Sequence, residues 1–153
     1  MKRDEHTPPR FTVFRLKVNN YQYPKVRIDP QLAHISTANN RQYGALSFGQ
    51  LYSYYRSYWL GRTGQGRQDF QTRTDVLKRT LYTGAVVFSG NEEQGFIVFP
   101  VLDEDVSDIR VHIDGVALRF NYADEPVETV DLDFSFKRDI LRGYTPESAE
   151  RLN

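Results

Sequence analysis

A mainly β, antiparallel fold with one helical insertion is predicted by two observations. Between Thr80 and Phe136, apolar runs with sheet periodicity follow one another, whereas the segment from Phe48 to Leu81 switches to spacings of three and four. The first pattern makes strands with one buried face, and the second makes amphipathic helices.

The strand evidence is clearest near the C-terminus. Val116, Leu118 and Phe120 alternate with Ala117, Arg119 and Asn121, and Val130, Leu132, Phe134 and Phe136 alternate with Asp131, Asp133, Ser135 and Lys137. Ile109, Val111 and Ile113 alternate in the same way with Arg110, His112 and Asp114. A slip of one residue in any of these runs would bury carboxylates, so the register is strongly specified. Asp114-Gly115 is a turn-forming pair and predicts a tight link between the run ending at Ile113 and the run beginning at Val116. Ala85 to Phe88 and Gly95 to Pro100 are apolar on both faces and read as central or covered strands, with Ser89 to Gln94 turning the chain between them.

Upstream, Phe14, Leu16 and Val18 mark a first strand ending at Asn19-Asn20. Val26 to Ile28 reads as an edge strand because Pro30 limits further pairing. Leu32 to Ile35 is a short further strand, and Asn39-Asn40 signals a turn. Phe48, Leu51, Tyr52, Tyr55 and Trp59 form the stripe of a helix from Phe48 to Leu60, opened by a capping box of Ser47 and Gln50 and closed by Gly61. Gly61 to Gln68 reads as a loop. Phe70, Leu77 and Leu81 form a weaker second stripe that Asp69 or Thr74 would cap. The organisation expected is a flexible tether over 1–10, one β domain over 11–137 with a helical insertion at about 48–81, and a tail over 138–153.

At 153 residues with zero formal net charge, the chain forms one domain with no uniform field of the kind that nucleic acid attracts. It has no cysteine, which removes disulfides, thiolate metal sites and cysteine nucleophiles. No run approaches the roughly 18 apolar residues that a membrane span requires. Neutrality hides an asymmetry. Six basic residues from Arg56 to Arg79 face two acids, whereas twelve acids from Glu92 to Asp133 face only Arg110 and Arg119. Either the two regions pair within the fold, or one of them serves a partner surface or a second copy of the chain.

Several stretches are weighed for chemistry. Gly61 to Arg67 combines glycines with arginines but matches neither phosphate-binding fingerprint, so a connector is the simpler reading. Leu102 to Asp108 is acid-rich but lacks the spacing and closing glutamate of a calcium loop. His6, His34 and His112 are scattered, which gives no zinc spacing. No nucleophile, base and orienting group can be named together, so no catalytic set, metal or cofactor is expected. The run from Tyr52 to Trp59 interleaves aromatics with Arg56, and Tyr and Arg are the residues enriched at binding hot spots. Tyr54, Arg56, Tyr58, Arg62 and Arg67 are therefore the expected partner-binding residues.

Gly95 to Pro100, followed by Ile109 to Phe120 and Val130 to Phe136, resembles the end of a bacterial extracytoplasmic immunoglobulin-like domain of the telokin-like lipoprotein type. The resemblance lies in the strand pattern and covers the last third of the ordered chain. It implies an immunoglobulin-like sandwich, here of seven or eight strands, located in the cell envelope and acting by binding. The expectation is thus an accessory or adaptor subunit docking to a membrane or envelope assembly. Self-association is possible, and the alternative is a small-ligand or carbohydrate-binding module that uses exposed aromatics.

Overall fold

The structure, a computed structural model, describes residues 11–59, 64–103 and 105–137; the expected tether and tail lie outside them, as do Gly61 and Arg62. Among these residues the chain is mainly β, with several antiparallel sheets and two helices. In order, they are β1 (Thr12–Asn20), β2 (Lys25–Val26), β3 (Ala33–Thr37), β4 (Gln42–Gly44), α1 (Phe48–Trp59), α2 (Gly64–Thr80), β5 (Val87–Phe88), β6 (Asn91–Phe99), β7 (Asp108–Phe120) and β8 (Pro126–Lys137).

The hydrophobic alternation acts as expected in β7 and β8. Ile109, Val111 and Ile113 lie opposite Phe136, Phe134 and Leu132, so both apolar rows share one face of a four-stranded sheet ordered β4-β3-β7-β8. Ile97 and Phe99 of the antiparallel β1–β6 pair join Ile35, Val111, Ile113 and Val116 in one buried core. Phe14 of β1 bridges the two layers, with its ring 5.9 Å from that of Phe99 and 5.1 Å from that of Phe136.

Asp114-Gly115 does not turn the chain. β7 runs unbroken through both residues, and the reversal into β8 comes at Asn121 to Glu125. There the Asn121 side chain accepts the Ala123 and Glu125 amides, and Asp124 takes a positive φ of 59°. Asp114 and Gly115 instead form a bulge, where the β7–β8 register shifts between Ile113 and Val116. Gly115 has φ 67°, and its amide donates to the Asp131 carboxylate at 2.8 Å. A bulge inserts one residue and so lets Ile113 and Val116, three apart, both face the core.

Val26 to Ile28 is not an edge either. β2 pairs with β5, and Arg27 exchanges backbone hydrogen bonds with Ala117 at 3.0 and 2.9 Å, which ties this small sheet to the second half of β7. Pro30 sits past the strand, in a 3-10 turn from Pro30 to Leu32 where no ladder donor is needed. In the stretch from Ala85 to Phe88 only Val87 and Phe88 pair, and Phe88 is exposed, as is Phe96 in β6. Ser89-Gly90 is the whole turn before β6 begins at Asn91.

The first helix starts as its sequence requires, with the Ser47 amide donating to Gln50 Oε1 and the Gln50 amide to Ser47 Oγ. The second starts earlier than expected. α2 begins at Gly64, so residues 64–68 are helical and neither Asp69 nor Thr74 is a cap. Thr74 is buried in mid-helix, and its hydroxyl donates back to the Phe70 carbonyl at 2.8 Å. Glycine is costly inside a helix, but in a first turn the amides have no helical partner to lose, and the stripe through Phe70 and Leu77 draws the helix onto α1.

The far end of α2 is fastened to β6 by a close approach. The Tyr82 amide donates to the Phe96 carbonyl at 2.9 Å, and a Cβ on Gly95 would stand 2.5 Å from Tyr82 Cα. Gly95→Ala is expected to prevent folding, because both clashing groups are backbone. Gly115→Ala should cost about 1–2 kcal/mol for its left-handed backbone. Urea unfolding measures both, and a neutral Gly115→Ala would mean that the bulge is not retained in solution.

Candidate interaction surfaces

α1 and α2 pack on each other through Tyr52 and Phe70, whose rings meet edge-on at 5.2 Å, with Leu51 and Thr74 buried beside them. Tyr54 and Tyr55 also meet the residue that precedes β1. The Phe11 ring lies 5.1 Å from Tyr54 and 6.1 Å from Tyr55. Tyr54 is therefore half-buried in an aromatic cluster, and burial raises the Tyr55 hydroxyl pKa above its ordinary value while nearby Arg73 works against it. Arg56 is exposed. Tyr58 lies on α1 and Arg67 on α2. The structure thus brings Tyr54 and Arg56 together on α1 and places Tyr58 and Arg67 on the same hairpin.

The charges separate sharply. On the β body, Lys17 pairs with Glu92, Lys25 with Asp124, Arg110 with Asp133 and Arg119 with Glu128, while Arg41 pairs with both Asp103 and Asp105. On the hairpin, Arg56, Arg73, Lys78 and Arg79 are all exposed, and none forms an ion pair with a described carboxylate. Glu92, Asp103, Asp105, Asp124, Glu128 and Asp133 thus pair within the body, and among the described residues no acid of the sheet pairs with a hairpin cation. Lys25 also holds the Asp124 carboxyl below the usual carboxylate range through its hydrogen bond.

Arg41 also decides the acid-rich loop. Its guanidinium reaches Asp103 and Asp105, and the Tyr43 hydroxyl donates to Asp103 at 2.9 Å. Carboxylates held by a guanidinium are poor calcium ligands, because the cation must be displaced first.

The histidines are less scattered than their spacing implied. His34 and His112 are direct cross-strand partners on β3 and β7, with rings stacked 4.6 Å apart at 15°. His112 Nε2 lies 2.7 Å from Ser36 Oγ, and His34 Nδ1 lies 3.5 Å from Asp114. Parallel stacking does not converge two ring nitrogens on one point, and among the described residues no three ligand-type side chains gather as a metal site. Both rings stand on the outer sheet face, in phase opposite to Ile35 and Val111. Only the β3–β7 register joins residues so far apart in sequence, so spacing alone had no means of finding this pair.

β8 is the most open part of the body. It is the last strand of its sheet, and its core-side residues Leu132, Phe134 and Phe136 remain 38%, 45% and 44% exposed. A cleft of about 360 Å³ lies elsewhere, between the α2 end and β6, floored by Leu46, Leu77, Leu81 and Val98 with Lys78 among its walls. Lys78 Nζ sits 5.9 Å from the Phe48 ring centre. Tyr82 also lines this cleft; it is only 4% exposed, and its hydroxyl has no hydrogen-bond partner among the described residues.

The chain matches no protein-family model, no curated protein and no solved structure.

Two expected outcomes follow from these sites. Burial pushes the Tyr82 hydroxyl up to about 12 from 10.0. A pKa raised on folding means that the unfolded chain releases its proton first, so stability is complete below pH 10 and falls between about 10 and 12. Tyr82→Phe should flatten that alkaline limb and raise stability at neutral pH by about 1 kcal/mol, since it removes an unpaired buried hydroxyl. Denaturant titrations across the alkaline range test this, and an unchanged limb would show that Tyr82 is not its source. Separately, the melting temperature should not respond to calcium or chelator; a rise with calcium would mean that Asp103 and Asp105 leave Arg41.

Proposed function

We propose that the chain is a non-catalytic accessory or adaptor subunit that docks to a larger protein assembly through its helical hairpin, with an immunoglobulin-like sandwich as its body. The observation that carries this reading is the segregation of ion pairs. Exposed arginines with no partner among the described carboxylates, beside aromatic residues on a surface-mounted hairpin, match the composition of binding hot spots. An acidic partner surface would supply the missing charges and speed encounter. The strand pattern that resembles extracytoplasmic immunoglobulin-like domains supports a place at a membrane or cell-envelope surface. Among the described residues no helix is long and apolar enough to cross a membrane.

A small-ligand or carbohydrate-binding role is the second reading, favoured by the apolar cleft under Lys78, whose volume falls within the range of ligand sites.

Affinity capture from native membranes and soluble extract separates the two. Wild type should retain a defined complex that an Arg56→Glu, Arg62→Glu, Arg67→Glu triple variant loses at unchanged melting temperature. Tyr58→Ala should weaken capture and leave stability nearly intact, whereas a large stability loss would assign Tyr58 to the core. If neither wild type nor variant retains a protein, the adaptor reading fails. A glycan or fatty acid that then shifts Trp59 fluorescence, and loses its effect in Lys78→Glu, would establish the second.

A further inference from the structure

β8 combines an open edge with an exposed apolar row, and its polar face is charged unevenly. Asp131 and Asp133 lie towards its middle and Lys137 at its end. Among the described residues β7 is its only strand partner, which leaves a row of backbone donors and acceptors unpaired on the other side. Edge strands are commonly blunted by charge, but here the apolar face of the strand stays open as well.

We propose that β8 pairs antiparallel with β8 of a second copy of this chain, about a two-fold axis through Phe134. Directly opposed residues in such a pair point to the same face, so only alternate registers keep apolar residues against apolar ones. Centring on Leu132 sets Asp131 against Asp133 twice, and centring on Asp133 sets that carboxylate against itself. Centring on Ser135 keeps Asp133 against Lys137 and Phe134 against Phe136, but it opposes only the five strand residues from Asp133 to Lys137. Centring on Phe134 sets Asp131 against Lys137 twice, Asp133 against Ser135 twice, Leu132 against Phe136 twice and Phe134 against itself. Charge and hydrophobicity agree in this register over the seven residues from Asp131 to Lys137, whereas the first two registers oppose carboxylates and the third is shorter. The interface is isologous, as two-fold symmetry requires, and it joins the two sheets into one. This inference goes beyond the docking role of the hairpin and uses none of its residues.

The absence of native cysteine makes the test direct. In the full chain, Phe134→Cys should form a disulfide-linked dimer on mild oxidation, because self-paired residues bring their Cα atoms to about 4.5–5.5 Å. Thr129→Cys, at an exposed position of the same strand, should not, since its copies stand about 33 Å apart along the ribbon. By sedimentation, Lys137→Glu should weaken dimerisation about tenfold or more, as two opposed pairs turn from attractive to repulsive. A wild-type chain that sediments as a monomer at the highest soluble concentration overturns the proposal. A dimer that is insensitive to Lys137→Glu, or one that crosslinks equally through Thr129→Cys, overturns the register. Neither result bears on partner capture by the hairpin, so the two readings fail separately.

Discussion

The fold depends on keeping β7 continuous through Asp114 and Gly115. β7 borders β8 along one side, and on the other it borders β3 in its first half and Arg27 in its second. A regular strand of that length would turn its apolar residues out of phase midway, since Ile113 and Val116 are an odd number of residues apart. The bulge corrects the phase, and it can do so because glycine accepts the left-handed backbone and Asp131 takes the amide freed from the ladder. The buried row then extends from Ile109 through Val116, and β1 and β6 pack against the surface that β7 shares with β3.

The same device explains which parts of the molecule were legible beforehand. Alternation in β1, β7 and β8 is a property of neighbouring residues, as is the capping box at Ser47 and Gln50, so both could be read directly. Asp-Gly between alternating runs fits a hairpin and a bulge equally well by local chemistry; only the partner strand, with Val130 waiting opposite Val116, decides between them. Pro30 misled for the same reason, because β2 finds its second neighbour through Arg27 and Ala117, ninety positions apart. The early start of α2 is likewise a tertiary effect, in which packing against α1 outweighs two glycines. Among the expected site residues, Tyr54 proved to be tied to Phe11, a contact that no helical periodicity contains.

Charge placement required the structure most of all. Exposed ion pairs contribute little to stability, typically about 0–1 kcal/mol, so the pairing of the β-body cations does not explain why that body is folded. It does show that the paired acids of the sheet take their cations from the body. Helix polarity accounts for part of the hairpin charge, since Arg56 and the Lys78-Arg79 pair lie in last turns where a cation suits the carbonyl end. Arg73 has no such role in mid-helix; its neighbour Tyr55 is an aromatic, and its charge opposes the effect of burial on that hydroxyl. A basic surface retained beyond what helix polarity needs is what a docking face requires.

The hairpin and the β8 edge are built from different segments, and this gives their combination a consequence that neither has alone. A chain paired through β8 would carry two hairpins related by the same two-fold axis, so an assembly presenting acidic sites in matching symmetry would engage both. The second engagement is then intramolecular, and avidity can exceed the single-site affinity by orders of magnitude without any new contact. Weak individual contacts are what exposed arginines on a hairpin with little buried area are suited to make, and pairing two of them compensates for that weakness. A monomeric chain would have to obtain its affinity from a deeper interface, for which the hairpin offers Tyr54 only in part because that ring already packs on Phe11. If β8 pairs as proposed, the open strand would set the spacing of two modest hairpin contacts, and the charge on the helices would select the surface they meet.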